Sequence, residues 1–104
     1  MQNQVRKYEF MLTIQNIKKI IAANEGEQAL QAMEQMEQDP ALSDVEKALV
    51  LAEKGKWLWV RERRAQAITA YEEGARLDPT GPSAMLLEHS RDIMDFFNPD
   101  LLNP

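Results

Sequence analysis

Cysteine is missing from this chain of 104 residues, which excludes disulfides, thiolate metal sites and a cysteine nucleophile. A chain without cysteine fits a reducing compartment. Glycine and proline are scarce, at four and five residues, and the prolines, Gly26 and Gly81 fall at the ends of periodic segments or between them. There is one histidine. No apolar run approaches the roughly 20 residues that a helix needs to cross a bilayer. The most apolar early stretch, residues 11–23, is interrupted by Gln15, Asn16, Lys18 and Lys19, so it lacks the clean apolar core of a signal peptide. We expect one domain, no membrane association and a cytoplasmic location.

Catalytic patterns are lacking too. The sequence has no glycine-rich phosphate loop, no Ser-His-Asp order and no zinc-ligand spacing. His89 has Glu88 beside it, but helix neighbours point about 100° apart and do not form a dyad. Glu34 and Glu37, and Glu72 and Glu73, read as solvent-facing charge rather than paired acid and base. We expect no enzyme, no cofactor and no metal.

The net charge of −5 is unevenly spread. Residues 1–23 carry +3, residues 24–53 carry −7, residues 54–64 carry +4 and residues 65–104 carry −5. An acidic balance disfavours nucleic-acid binding, which needs a basic surface. The one dense basic cluster is Arg61, Arg63 and Arg64, preceded by Lys54 and Lys56. It could contact an acidic partner or a phosphate, or it could be a solvated turn paired with acidic segments of the same chain.

What the chain does have is helical periodicity. Phe10, Ile14, Ile17 and Ile21 make one stripe, widened by Met11 and Ile20, and Asn24 to Gly26 breaks that helix. Residues 1–9 either extend it or fray. A second helix presents Ala29, Leu30, Met33 and Met36 inward and stops at Pro40. Ser43-Asp44-Val45-Glu46 has the form of a capping box, opening a third helix from Asp44 to about Val60. Its apolar contributors are Val45, Ala48, Leu49, Leu51, Ala52, Leu58 and one or both tryptophans. Helix four spans Ala65 to Leu77, with Ala67, Ile68, Tyr71 and Leu77 inward. Ser83 is placed to cap helix five, which carries Ala84, Leu86, Leu87, Ile93, Met94 and Phe97. Residues 98–104 hold two prolines and form a non-helical tail. The expected fold is all-α, five helices in antiparallel hairpins.

The chain also echoes itself. Gln28-Ala29-Leu30-Gln31-Ala32-Met33-Glu34 returns 38 residues later as Gln66-Ala67-Ile68-Thr69-Ala70-Tyr71-Glu72, and each copy runs on to an Asp-Pro stop. Self-similarity at this period marks a repeat array, whose units bury their faces against their neighbours. Residues 48–81 resemble a tetratricopeptide repeat closed by Pro79. Gly55, Ala67 and Tyr71 fall on the signature glycine, small residue and aromatic, while Leu51, Leu58 and Leu77 take large apolar sites. The departures are Lys54 for a leucine, Trp57 for a small residue, Glu62 for the turn glycine, Arg64 for an aromatic and Gly74 for an alanine. Residues 10–40 look like a degenerate copy, and residues 83–97 like the closing helix. The whole chain is similar to small bacterial tetratricopeptide proteins.

That resemblance implies a short α-solenoid that binds a peptide or helix of a partner along a concave groove, lined by helices one, three and five. The positions it singles out are Lys18, Ile21, Glu53, Lys56, Trp59 and Leu87. Trp57 and Trp59 lie about 200° apart around their helix, so one belongs to the core. Trp59 itself reads either as a ligand contact or as core packing. A second reading makes the chain a self-associating dimer scaffold whose groove is filled by its own tail, since Phe96, Phe97, Leu101 and Leu102 would be costly to leave exposed.

Overall fold

A computed structural model describes residues 12–96. Five helices account for most of them: α1 (Ile14–Ala22), α2 (Glu27–Glu37), α3 (Asp44–Val60), α4 (Arg64–Leu77) and α5 (Pro82–Phe96). No strand occurs among the described residues.

Each boundary has a local cause. Thr13 caps α1, accepting from the Asn16 amide while the Asn16 side chain accepts from the Thr13 amide. The helix opens at Ile14; Phe10 and Met11 of the expected stripe, like residues 1–9, lie outside the described residues. α1 ends at Ala22 with Ala23 as its cap, Asn24 donates its side-chain amide to the Ile20 carbonyl at 2.7 Å, and Gly26, with a φ of +54°, leads the chain into α2. Ser43 and Glu46 form the expected capping box of α3. Glu62 turns the chain between α3 and α4 with a φ of +66°. α4 opens one residue earlier than expected, at Arg64.

Helix α5 departs from expectation. Proline is pre-organised for a first helical position, and the helix starts at Pro82. Ser83 does not cap it but is buried, donating its hydroxyl to the Ala48 carbonyl of α3 at 3.1 Å. Of the residues of α5, only Ser83 and Ser90 are fully buried. Ala84, Leu86, Leu87, Ile93 and Met94 are half-buried, as a terminal helix packed on one side would leave them. Phe97 and the tail fall outside the described residues.

α3 is the central element, in contact with all four other helices. α4 packs on α5, and α1 on α2, while no Cα atoms of α2 and α4 come within 8 Å of each other. The core joins Leu12, Ile17, Leu30, Met33, Val50, Trp57, Leu58 and Tyr71. Val45, expected inside, is 42% exposed; Glu46 takes the buried position beside it. Its Oε1 accepts from the Ser43 amide at 2.9 Å and its Oε2 from the Leu12 amide at 2.6 Å. One carboxylate thus closes the α3 cap and ties down the chain leading into α1. A buried carboxylate is tolerable because backbone amides satisfy it.

Two glycines set helix spacing. A Cβ at Gly55 would fall inside the ring of Tyr71, and one at Gly74 would collide with Ser83 and press on Leu51. Bare backbone lets α4 lie close on α3, and α5 close on α4.

Candidate functional site

The C-terminal halves of α1 and α3 enclose an open recess of about 320 Å³. Its lining is Lys18, Ile21 and Ala22 from α1, Glu53, Lys56, Trp57 and Val60 from α3, and Arg61 at the end of α3. Helical periodicity explains the assembly: residues 18, 21 and 22 share one face of α1, and 53, 56, 57, 60 and 61 share one face of α3. The surface is mainly apolar. Val60, at its rim, is 72% exposed.

Glu53 lies below the rim, 5% exposed. Lys56 stands 2.7 Å from its Oε2 and Lys18 3.9 Å from its Oε1. Burial pushes the Tyr71 phenol of α4 up to about 12, with the Glu53 charge adding to the effect. Arg61 lies over the Trp57 ring, 3.7 Å from its centroid, and donates from Nη1 to the Trp57 carbonyl at 3.1 Å. The stack combines cation–π attraction with a hydrogen bond that satisfies a carbonyl at the helix end.

Four of the residues singled out from the sequence, Lys18, Ile21, Glu53 and Lys56, meet in this recess. Trp59 and Leu87 do not line it: both are half-buried and pack against the core. Trp59 instead carries Arg64 over its ring at 4.8 Å. Trp57 is the tryptophan that lines the recess, and the structure adds Arg61 to it. A signal was present in the sequence, because Trp57 and Arg61 are four residues apart on one helix face, the spacing at which an arginine can cover a ring.

The basic turn does not form a converged patch. Arg61 is stacked on Trp57, Arg64 lies over Trp59, and Arg63 pairs with Glu27 of α2 at 2.9 Å and with Gln66 at 2.8 Å. Each guanidinium has a partner within the chain, and of the three only Arg63 reaches α2.

A smaller cleft, about 190 Å³, lies between α2 and α4 over α3, lined among others by Leu30, Lys54, Leu58 and Glu73. Lys54, where the repeat pattern expects leucine, reaches Glu37 at 3.0 Å and Glu34 at 3.5 Å. The Glu37 oxygen is buried and charge-paired without hydrogen-bond alignment. Desolvation raises the Glu37 pKa above its usual 4.5, and Lys54 pulls the other way without reversing the shift. Among the described residues no group of three His, Asp or Glu side chains is placed to hold a metal ion, and no helix is long and apolar enough to cross a membrane.

The chain matches no known family model, and neither the curated proteins nor the solved structures include a significant match to it.

Proposed function

We propose that this chain is a short helical array of the tetratricopeptide type, acting in the cytoplasm as a protein-interaction module that holds a peptide or helix of a partner. The observation that carries the reading is the α1–α3 recess. It is an open, mainly apolar surface with an exposed valine at its rim, beside the buried Glu53 and its two lysines. Its volume is at the low end for ligand pockets, which suits one anchoring side chain better than a free small molecule. The internal sequence echo and the order of contacts, α1 on α3 and α3 on α5, support the repeat reading.

The test is affinity capture from a cell lysate with the wild type and Val60→Glu, after circular dichroism shows both folded. A protein retained by the wild type and lost from the variant supports the reading. Equal retention by both moves the site off the recess.

The second reading is a self-associating scaffold. It is favoured by α5, where Met85 and Phe96 are 71% and 75% exposed on a helix with two fully buried residues. A mass that rises with concentration in analytical ultracentrifugation would support it.

A further inference from the structure

The rim of the α1–α3 recess is electrically lopsided. Lys18, Lys56 and Arg61 face a single carboxylate, and that carboxylate, Glu53, is sealed beneath them. The three cations are not equally engaged. Arg61 is held on the Trp57 ring and carbonyl, where its charge also offsets the negative C-terminal end of α3. Lys56 holds Glu53 at 2.7 Å. Among the described residues Lys18 is held only by the longer contact of 3.9 Å, with half of its side chain exposed. Glu53 therefore neutralises about one lysine, and Lys18 keeps most of its charge available.

We propose that the recess takes a partner segment in which one bulky apolar side chain has an aspartate or glutamate next to it. The apolar group would rest on Ile21, Trp57 and Val60, and the carboxylate would pair with Lys18. This deepens the interaction-module reading and depends on it. A basic flank would meet three cations with no accessible carboxylate to receive it. A neutral flank would leave Lys18 without a new partner. The overall charge of −5 opposes an acidic ligand at long range, but at physiological salt screening damps that effect beyond roughly 8 Å, whereas the Lys18 contact is local.

The probe is a randomised peptide display library, selected on the wild type and counter-selected on Val60→Glu. Val60 is mostly solvent-exposed, so its replacement leaves the core intact. The expected winners carry a bulky apolar residue beside Asp or Glu, bind Lys18→Glu at least about tenfold more weakly, a 1.4 kcal/mol change, and give way to basic-flanked sequences when Lys18→Glu is the bait. Winners with neutral or basic flanks on the wild type would overturn the inference and leave the groove reading standing. A library that never separates wild type from Val60→Glu would overturn both. The partner assignment would also fail if the wild type proved to be a dimer that Val60→Glu dissolves, or if deleting residues 97–104 were needed before any peptide could bind. The first result names a second copy as the occupant and the second the chain's own C-terminal segment.

Discussion

The ring of Tyr71 lies directly on the bare backbone of Gly55, so α3 and α4 meet at a point where no Cβ can stand. This contact joins α3 and α4 at positions 55 and 71, where the resemblance to a tetratricopeptide repeat expects a glycine and an aromatic. Gly55→Ala should gain a few tenths to about 1 kcal/mol in helix propensity and lose more to overpacking, roughly 1–3 kcal/mol. The expected net result is a lower urea midpoint at unchanged slope. A variant as stable as the wild type would mean that Tyr71 can move aside freely.

Glu46 links two backbone segments through one side chain, and its loss should be felt at both. Glu46→Ala removes the α3 capping contact, worth about 1 kcal/mol, and leaves the buried Leu12 amide without its acceptor, at roughly 1–3 kcal/mol. Hydrogen exchange should rise at the Leu12 and Ser43 amides ahead of the rest of the fold. Protection retained at Leu12 would show that another acceptor takes over.

Glu62 sits at φ +66° in the turn where the repeat pattern has glycine. A left-handed conformation costs a residue with a Cβ roughly 1 kcal/mol. Glu62→Gly should therefore stabilise the protein by about 0.5–1 kcal/mol, offset in part by the entropy of the unfolded glycine. Thermal unfolding checks it; a lower midpoint for the variant contradicts the account of this turn.

Two buried groups give the fold a pH dependence of known sign. The Tyr71 phenol is raised from 10.0 to about 12 in the folded chain. Between those values the unfolded chain ionises first, so this contribution to stability is present below pH 10 and lost as pH rises towards 12. Of the two tyrosines, the one that ionises last in an absorbance titration should disappear in Tyr71→Phe. Glu37 is likewise raised above 4.5, so its contribution is present below that pH and lost as pH rises through the folded value. Glu37→Gln should match the wild type in acid and be less weakened on going to neutral pH. A variant that loses more stability than the wild type over that range would mean that the Lys54 pair outweighs desolvation.

Much of the fold was legible because helices announce themselves through periodicity and caps. The α3 boundaries follow from the Ser43–Glu46 box, and the inward face of α2 from Ala29, Leu30, Met33 and Met36. The reading failed where a polar residue took an apolar role. Val45 yielded its buried place to Glu46, because the Leu12 amide, far away in sequence, donates to the carboxylate. Ser83 left its cap to bond across to Ala48, and that approach needs the glycine at 74 where an alanine is usual. Neither fact is local, so neither is visible in a short window of sequence. The recess was half legible: the tetratricopeptide resemblance singled out Lys18, Ile21, Glu53 and Lys56, and these four line it. Choosing between Trp57 and Trp59 required the rotation of α3, which is set by packing on all of its neighbours.

The central claim is that the α1–α3 recess receives a partner segment, and the most direct measurement is amide chemical-shift mapping by NMR. A peptide selected from the display library would be titrated into isotope-labelled protein. The account predicts shifts concentrated at residues 18–22 and 53–61, with the indole N–H of Trp57 moving more than that of Trp59. Shifts centred instead on the α2–α4 cleft, around Lys54, Thr69 and Glu73, would contradict it.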